Sequence, residues 1–286
     1  MHHGMKRIAS MLQRLVLIAT VTAVSSTRLQ AGESEDALWF PVGETLTYHM
    51  HWGLLPVGYS ILFTEWAVVE GRKLLVVRFT AHSNRFMDTI YPVNDELVCY
   101  IDPVTFLPIY LAKKTREGPT RGDDELFFDH QNKVARWVDH IKNRTVEYPI
   151  QADTHGLVSF LYWMRSQALT PGDERDSELA IDDQLQHFRI KAIKQQNIRL
   201  DGFGTIPSVL LKVSVDSNEF FVRKIPGYVW VSTDQRRIVT QMYIKAPIGR
   251  IKVLLHSIQE PEDEGPFLAA HPPPVLPHNL NLLKRL

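Results

Sequence analysis

The sequence predicts a mainly β protein with a large curved antiparallel sheet, half-barrel or barrel-like and either continuous or in two halves, around one central α-helix. Three observations support this prediction. From Glu44 onward polar and apolar residues mostly alternate, which is the period of strands that have one face in water. Turn residues interrupt the alternation at short intervals, which is typical of an antiparallel meander. A helical spacing of apolar residues occurs at about 153–169.

The first 31 residues have the pattern of a secretory signal peptide. Basic residues such as Lys6 and Arg14 precede an apolar run at 15–24, and small residues follow before Gly32. The apolar run is about half of the roughly 20 residues that a membrane-spanning helix needs. We therefore expect the mature protein to begin near Gly32 and to be periplasmic or secreted. An uncleaved leader that anchors the protein is the alternative.

The composition argues against nucleic acid as a partner. Four of the 32 basic residues lie in the leader, so the expected mature chain has 28 basic residues against 32 acidic ones. Proteins that bind nucleic acids usually present a basic face. The single cysteine, Cys99, excludes a disulfide within the chain and a cysteine-rich zinc site. Its apolar neighbours predict a buried thiol.

Strands are predicted throughout the first half of the mature chain. Alternating or β-branched segments are separated by turns rich in Gly, Pro, Asn and Asp. The predicted strands cover 45–52, 59–69, 73–83, 96–101, 109–115, 125–128, 134–138 and 144–148.

One helix is predicted between two strand-rich halves. Asp153 and Thr154 are suitable N-terminal caps, and Thr170-Pro171-Gly172 ends the segment. Apolar residues recur between them at three- and four-residue steps, at Leu157, Phe160, Leu161 and Met164. Further apolar residues on other sides predict a helix that is mostly buried, against or inside the sheet.

The second half is again predicted to be strands, and the end of the chain differs in kind. The strands cover 178–181, 187–193, 208–215, 219–223, 228–232, 237–245 and 250–258. Residues 32–260 are therefore expected to form a single β-rich domain. Residues 261–286 contain three consecutive prolines and several charges, which predicts a disordered tail or a docking peptide for a protein partner.

Several segments carry a resemblance to a known family. The most specific is Gly-Tyr-Val-Trp-Val-Ser-Thr-Asp-Gln-Arg-Arg-Ile at 227–238, continued at 245–251, with further similar stretches at 40–48, 52–58 and 153–165. They resemble an uncharacterised bacterial secreted family known as domain of unknown function three-one-zero-eight. The resemblance implies an exported β-rich envelope protein and supplies no catalytic residues. The family is similar in pattern to periplasmic half-barrel carriers of lipoproteins and lipids, which is an analogy of fold alone.

Motifs for catalysis, metals and cofactors are weak. His49 and His51 project from one face of a strand, but no third metal ligand follows at a diagnostic spacing. Ser159 lacks the second glycine of a nucleophile elbow, and no phosphate loop or dinucleotide fingerprint occurs. We therefore expect neither a metal nor a cofactor, and an enzyme is less favoured than a noncatalytic protein.

Aromatic residues suggest a binding site. A barrel of this size can leave an apolar cavity lined by aromatic side chains, although packing of a closed core explains the same residues. The predicted ligand-binding residues are Trp52, Tyr59, Phe63, Tyr162 and Trp163, with Arg236 and Arg237 at a polar rim. The resulting hypothesis is a carrier of a lipid or another apolar or amphipathic envelope molecule.

The sequence is also compatible with two alternatives. An envelope hydrolase could assemble its site from distant strands, for example from His51 with Asp95 or Asp124. A periplasmic scaffold protein could recruit partners through its tail and sheet edges. The sequence gives no indication of the oligomeric state.

Overall fold

A computed structural model describes residues 38–215, 226–246 and 249–261. Within these ranges the chain forms fourteen strands and two helices. The strands are β1 Thr45–Trp52, β2 Leu55–Val69, β3 Arg72–Ser83, β4 Asn94–Ile101, β5 Pro108–Glu117, β6 Thr120–Asp129, β7 Val134–Asp139, β8 Arg144–Pro149, β9 Glu174–Ile181, β10 Gln184–Leu200, β11 Gly204–Val215, β12 Pro226–Ser232, β13 Val239–Ala246 and β14 Gly249–Gln259. The helices are α1 Arg85–Asp88 and α2 Leu157–Ser166.

All fourteen strands belong to one antiparallel sheet. The order is β8-β7-β6-β5-β4-β3-β2-β1-β14-β13-β12-β11-β10-β9, so β8 and β9 are the edges and the sheet is open. Strands that are adjacent in sequence pair with each other, and β1 pairs with β14, for example through Leu46 and Ile258. The mainly β, antiparallel class predicted from the sequence is confirmed, and the two strand-rich halves are joined in a single sheet.

The predicted strands agree with the observed ones except in a few places. The strand predicted at 187–193 extends over Gln184–Leu200. A register shift between Ala192 and Lys194 and a run of polar residues after it hide the alternation in the sequence. The strand predicted at 219–223, the leader and the tail from 262 lie outside the described residues.

The largest apolar cluster lies on one face of the sheet and includes helix α2. Leu75, Val77 and Cys99 from β3 and β4 are fully buried in it, and Tyr162 of α2 is fully buried as well. Strands on the other side of β1 contribute through residues such as Leu211 of β11. Burying one large apolar side chain stabilises the fold by about 1.5–3 kcal/mol. Because most of the buried apolar residues belong to this cluster, this face contributes most of that stabilisation.

The two ends of the sheet approach each other without pairing as strands. Phe128 of β6 packs in one cluster with Ala180 of β9. The hydroxyl of Tyr148 donates a hydrogen bond of 3.0 Å to the carbonyl of Asp182, and Lys113 forms an ion pair with the Asp182 carboxylate. We call this set of contacts between β5–β8 and the β9–β10 region the seam.

Helix α2 begins later than the sequence predicts. Asp153 and Thr154 were the expected caps, but the N-cap is Gly156. The Thr154 hydroxyl instead accepts a hydrogen bond from the Gln151 amide, and His155 forms an isolated bridge with Leu179 of β9. This bridge holds His155 in an extended conformation, so the helix starts only after it.

Helix α1 is a single turn that the sequence analysis did not predict. Asn84 caps it, because its side chain accepts a hydrogen bond from the Met87 amide. Met87 is buried in the core, whereas Phe86 is exposed. Among the described residues no helix has the length and apolar character needed to span a membrane.

Candidate functional site

The predicted aromatic residues are divided between the two faces of the sheet. Tyr59 and Phe63 alternate with the core residue Leu62 along β2 and therefore lie on the face opposite α2. Tyr59 is exposed and its ring is 5.3 Å from that of His82. Phe63 is buried opposite Arg78.

The remaining three predicted aromatics belong to the helix face. Trp52 pairs with Ile251, a core residue, and lies half-exposed at the end of β1. Tyr162 packs against Phe40 at 5.4 Å, while Trp163 packs against His155 at 5.4 Å on another side of α2. The structure therefore does not bring the five predicted aromatics into one lining.

The most unusual group on the helix face is a buried set of charges around Glu44. One carboxylate oxygen of Glu44 accepts a hydrogen bond of 2.7 Å from Arg165, and the other accepts one of 2.6 Å from Arg236. The second guanidinium nitrogen of Arg236 reaches Glu260 at 2.7 Å. Glu44 is fully buried, the Arg165 side chain is 3% exposed and that of Arg236 is 24% exposed.

Four separate parts of the chain position these charges. Two hydrogen bonds with Thr64 fix the segment that contains Glu44, just before β1. The Gly43 amide donates to the Thr64 hydroxyl, and the Thr64 amide donates to the Glu44 carbonyl. Arg165 lies in the last turn of α2, Arg236 lies between β12 and β13, and Glu260 follows β14. The cluster thus closes one end of the sheet against the helix.

Arg237 joins the same cluster through backbone groups. Its guanidinium donates to the Arg165 carbonyl at 3.2 Å, and Arg165 in turn donates to the Arg236 carbonyl at 3.3 Å. We call Glu44, Arg165, Arg236, Arg237 and Glu260 the Glu44 cluster. Three guanidinium groups and two carboxylates give it an excess of one positive charge.

Residues 234–237 form a turn between β12 and β13 whose charged side chains do not all face water. The turn exists, and the Asp234 carboxylate accepts a hydrogen bond of 3.1 Å from the Arg237 amide. The Arg236 side chain, however, points to the buried Glu44 carboxylate and not to water. A buried carboxylate without a partner is costly, so the Arg236 guanidinium pairs with Glu44 and does not extend into water.

Burial and mutual contact shift the pKa values of the groups beside Glu44. Burial raises the pKa of the Tyr48 and Tyr162 hydroxyls well above the ordinary value, so both stay neutral. Burial alone would lower the pKa of Arg165, but the Glu44 carboxylate offsets this and leaves the pKa raised. The two hydroxyls therefore stay neutral and Arg165 stays charged at physiological pH.

Several polar atoms of this region are buried without a full complement of hydrogen bonds. Among the described residues, Nη2 of Arg165 and Nε of Arg236 have no acceptor. The Tyr162 hydroxyl lies near the Arg165 guanidinium but forms no hydrogen bond of regular geometry with the described residues. Leaving such a group unsatisfied costs about 1–3 kcal/mol, so an acceptor atom placed here would be bound favourably.

A row of aromatic rings leads away from the cluster. The Arg165 guanidinium lies over Phe40 at 4.8 Å, and Phe40 contacts Trp39 at 5.1 Å. Trp39 then contacts Phe106 at 4.9 Å. Because Trp39 is only partly buried, this aromatic row borders both the core and the surface.

Sequence reasoning missed Glu44 and Arg165, although one signal was present. Arg165 is a charged residue on a helix predicted to be mostly buried, and buried charges are almost always paired. The identity of its partner was hidden because Glu44 is 121 positions away.

The residues of the hydrolase alternative are not adjacent. His51 lies on β1, Asp95 on β4 and Asp124 on β6, so other strands of the sheet separate them. Asp95 accepts a hydrogen bond from the Arg116 amide, and Asp124 is paired with Lys113 at 3.4 Å. The carboxylates are thus engaged elsewhere.

The histidines of β1 take part in ring stacking. His49 stacks on His256 of β14 with 3.7 Å between centroids, and burial, with His256 and His51 nearby, lowers the pKa of His49. Within the described ranges no group of three His, Cys, Asp or Glu side chains is arranged to hold a metal ion.

Ser159 and Cys99 are both buried. The Ser159 hydroxyl accepts a hydrogen bond from the Gly156 amide and donates to the Gly156 carbonyl, as a capping residue does. Burial raises the pKa of the Cys99 thiol well above its ordinary value, so it stays protonated. Neither side chain is set up as a nucleophile.

Comparison with known proteins places the chain in a family. The model of the family of proteins of unknown function DUF3108 matches residues 47–256, while no curated protein matches. The fold is similar to the crystal structure of a β-barrel-like protein of the domain of unknown function DUF1849 from Brucella abortus. That similarity has a TM-score of 0.52 at 12% identity, over 77% of this chain and 98% of the other. At this identity it concerns the fold alone, whereas the family match covers most of the sequence: this chain is a member of the DUF3108 family.

Proposed function

We propose that this protein is a noncatalytic carrier of an amphipathic molecule of the cell envelope, such as a lipid. In this proposal the leader exports the chain, and the sheet curves around helix α2. The anionic or acceptor head group of the cargo is bound by the Glu44 cluster, and its apolar part lies along the row Tyr162, Phe40, Trp39 and Phe106.

The observation that carries the proposal is the set of buried donors without acceptors. Nη2 of Arg165 and Nε of Arg236 have no acceptor among the described residues, although other nitrogens of the same two arginines bind the Glu44 oxygens. A carboxylate or phosphate of a ligand offers the missing acceptors, and guanidinium groups bind such anions well.

Charge and access support the same assignment. The Glu44 cluster has one more positive than negative charge, which favours an anion over a cation. Arg236 is its partly exposed member, so a head group can reach the buried donors from its side. The aromatic row of Phe40, Trp39 and Phe106 adjoins the buried ring of Tyr162, which places apolar side chains directly beside the polar donors.

Native mass spectrometry of the exported protein, purified gently from a bacterial envelope, tests the proposal. A bound adduct that organic solvent extracts and that contains both an acidic group and an apolar chain is the expected result. A protein that is bare when purified, and that takes up neither fatty acids nor phospholipids added to it, contradicts a carrier function.

A single-atom variant ties the cargo to the Glu44 cluster. Tyr162→Phe removes the buried hydroxyl and should lower the amount of adduct several-fold. In the ligand-free protein it should leave the free energy of unfolding unchanged or raise it by up to about 1 kcal/mol, because an unsatisfied polar group is lost.

Tyr148→Phe is the matched control. It also removes one hydroxyl, which donates to Asp182 at the seam, and it should keep the adduct while losing about 1 kcal/mol of stability. Equal loss of adduct in both variants would show that the hydroxyl of Tyr162 has no specific part in binding.

Export is tested separately. Cell fractionation should find the chain outside the cytoplasm, and N-terminal sequencing should give a mature start near Gly32. A chain that keeps its first 31 residues and stays in the cytoplasm would overturn the envelope assignment, whatever it binds.

A further inference from the structure

The end of the molecule opposite the Glu44 cluster carries a group of exposed apolar side chains. Leu54, at the turn between β1 and β2, is 97% exposed, and Leu55 beside it is half-exposed. Phe86 and Ile90, in and just after helix α1, are 54% and 55% exposed. With Trp52 at the end of β1, these residues form what we call the apolar tip.

Hydrogen bonds hold the two parts of the apolar tip together. The Asn84 amide donates to the Val57 carbonyl at 2.9 Å, and the Asn84 side chain donates to the Pro56 carbonyl at 2.6 Å. Val57 and Met87 are buried in the main core on the inner side of the same contact. The outward direction of Leu54 and Phe86 is therefore fixed by packing beneath them.

Exposed apolar residues elsewhere in the described structure are dispersed. Val68, Val104, Ile141 and Phe203 lie on different elements or turns. Single exposed apolar residues are normal, but proteins that stay in water rarely expose several together. The apolar tip is thus a candidate interaction surface.

Basic residues outnumber acidic ones around the apolar tip. Residues 45–64, which contain β1 and the first ten residues of β2, and residues 239–258, which contain β13 and most of β14, include no Asp or Glu. The second segment contains Lys245, Arg250 and Lys252. In α1 beside the tip, Arg85 and Asp88 are both exposed, so the excess of positive charge comes from the β13–β14 hairpin. The whole chain, by contrast, has equal numbers of acidic and basic residues.

We propose that the apolar tip docks on a lipid bilayer with anionic head groups. The leucines and Phe86 enter the interface, Trp52 lies at the head-group level, and Arg85, Arg250 and Lys252 face the lipid phosphates. Apolar residues at a rigid turn, an aromatic residue beside them and a basic surround are the combination that such an interface binds.

Docking at this end leaves the proposed cargo site free. Glu44 precedes β1 and Trp52 ends it, so eight residues of strand, roughly 25 Å, separate the two regions. The docking surface does not depend on the carrier proposal, and each can fail without the other.

Flotation with vesicles tests the docking surface. The protein should float with vesicles of phosphatidylcholine and phosphatidylglycerol in equal parts, and much less with phosphatidylcholine alone. The double variant Leu54→Ser/Phe86→Ser should lower the partition coefficient at least about tenfold, because two exposed apolar groups lose their transfer into lipid.

Matched variants show whether the effect belongs to the apolar tip. Val104→Ser/Ile141→Ser removes two apolar residues that are just as exposed but lie elsewhere, and should bind vesicles as the unchanged protein does. Arg85→Ser/Arg250→Ser should remove most of the difference between anionic and neutral vesicles.

Three outcomes would overturn the proposal. In the first, the protein floats with neither kind of vesicle. In the second, Val104→Ser/Ile141→Ser loses as much binding as Leu54→Ser/Phe86→Ser. In the third, sedimentation without vesicles shows self-association that Leu54→Ser/Phe86→Ser abolishes, which assigns the apolar tip to a second copy of the chain. Native mass spectrometry of the same variants reports the cargo independently.

Discussion

The carboxylate of Glu44 is shared by two guanidinium groups in a place that water does not reach. Arg165 and Arg236 each bind a different oxygen, and both arginines come from parts of the chain far from Glu44 in sequence. A charge buried in this way is stable only while its partners are present. The residue therefore holds the helix and the β12–β13 turn to the start of β1.

Glu44→Gln should destabilise the protein strongly. The amide keeps the shape of the side chain but leaves the buried Arg165 without a counter-charge, which typically costs about 3–5 kcal/mol. The free energy of unfolding in urea measures the change.

Asp183→Asn is the control for that substitution. It breaks the more exposed ion pair between Asp183 and Arg144, which are 2.9 Å apart, and should cost less than about 1 kcal/mol. Similar losses for Glu44→Gln and Asp183→Asn would show that burial of the Glu44 cluster contributes little.

At the level of elements, the close packing of β2 against β3 depends on one glycine. β2 has a bulge opposite the step from Met50 to His51, and Gly58 lies next to it. A β-carbon on Gly58 would come within 2.2 Å of the carbonyl oxygen of His82 on the neighbouring strand. The close approach of β2 and β3 here requires that no side chain be present.

Gly58→Ala should therefore lower the free energy of unfolding by about 1–3 kcal/mol, the usual cost of overpacking. Thermal or urea unfolding measures it. Gly227→Ala is the matched control, because Gly227 is also in a strand and a β-carbon there meets nothing within 4 Å. If the two alanine variants are equally stable, the strands can separate at Gly58 without cost.

Elements were predictable where the local pattern was clean. β1 was predicted with its observed limits, because Thr45–Trp52 alternates without interruption. Helix α2 was predicted at its position along the chain but too long at both ends, 153–169 against Leu157–Ser166. At its start the reason is the bridge of His155 to Leu179, a contact between distant residues. Helix α1 was missed because a single turn has no periodicity.

At the scale of the whole molecule, the approach of the sheet ends depends partly on a neutral histidine. His155 extends the pairing of the edge strand β9, and its ring packs on Phe160 and Trp163. Burial lowers its pKa from 6.5 to about 4, while a hydrogen bond to the Phe106 carbonyl acts in the opposite direction. Nearby His130 lowers the pKa further and Asp153 raises it.

Stability should therefore fall on acidification between about pH 6.5 and pH 4. In this range the unfolded chain binds a proton at His155 that the folded chain does not, which costs up to about 3 kcal/mol at the acid end. Urea unfolding at several pH values measures the slope. His155→Gln should flatten the slope, whereas Trp163→Phe, which alters the same ring contacts, should retain it. Parallel pH profiles for the unchanged protein and His155→Gln would assign the acid sensitivity to other groups.

The candidate site was predictable only in part. Tyr162 and Arg236 were expected to bind a ligand from their residue types, and both lie at or beside the Glu44 cluster. Glu44 and Arg165 could not be found in this way, because their ion pair joins positions 121 residues apart. Tyr59 and Phe63 lie on the opposite face, because they are an odd number of positions from the core residue Leu62 along β2. Proximity in the sequence had grouped them with the other aromatic residues, and it does not distinguish the two faces of a strand.

The sequence by itself determined the mainly β class, the positions of most strands and the place of the helix, because these follow from local periodicity and turn residues. The tertiary structure decided that β1 pairs with β14, that the sheet stays open at β8 and β9, and that one carboxylate collects two arginines. The physical reason is range: alternation acts over a few residues, whereas pairing, burial and charge contact join residues that only the folded chain brings together.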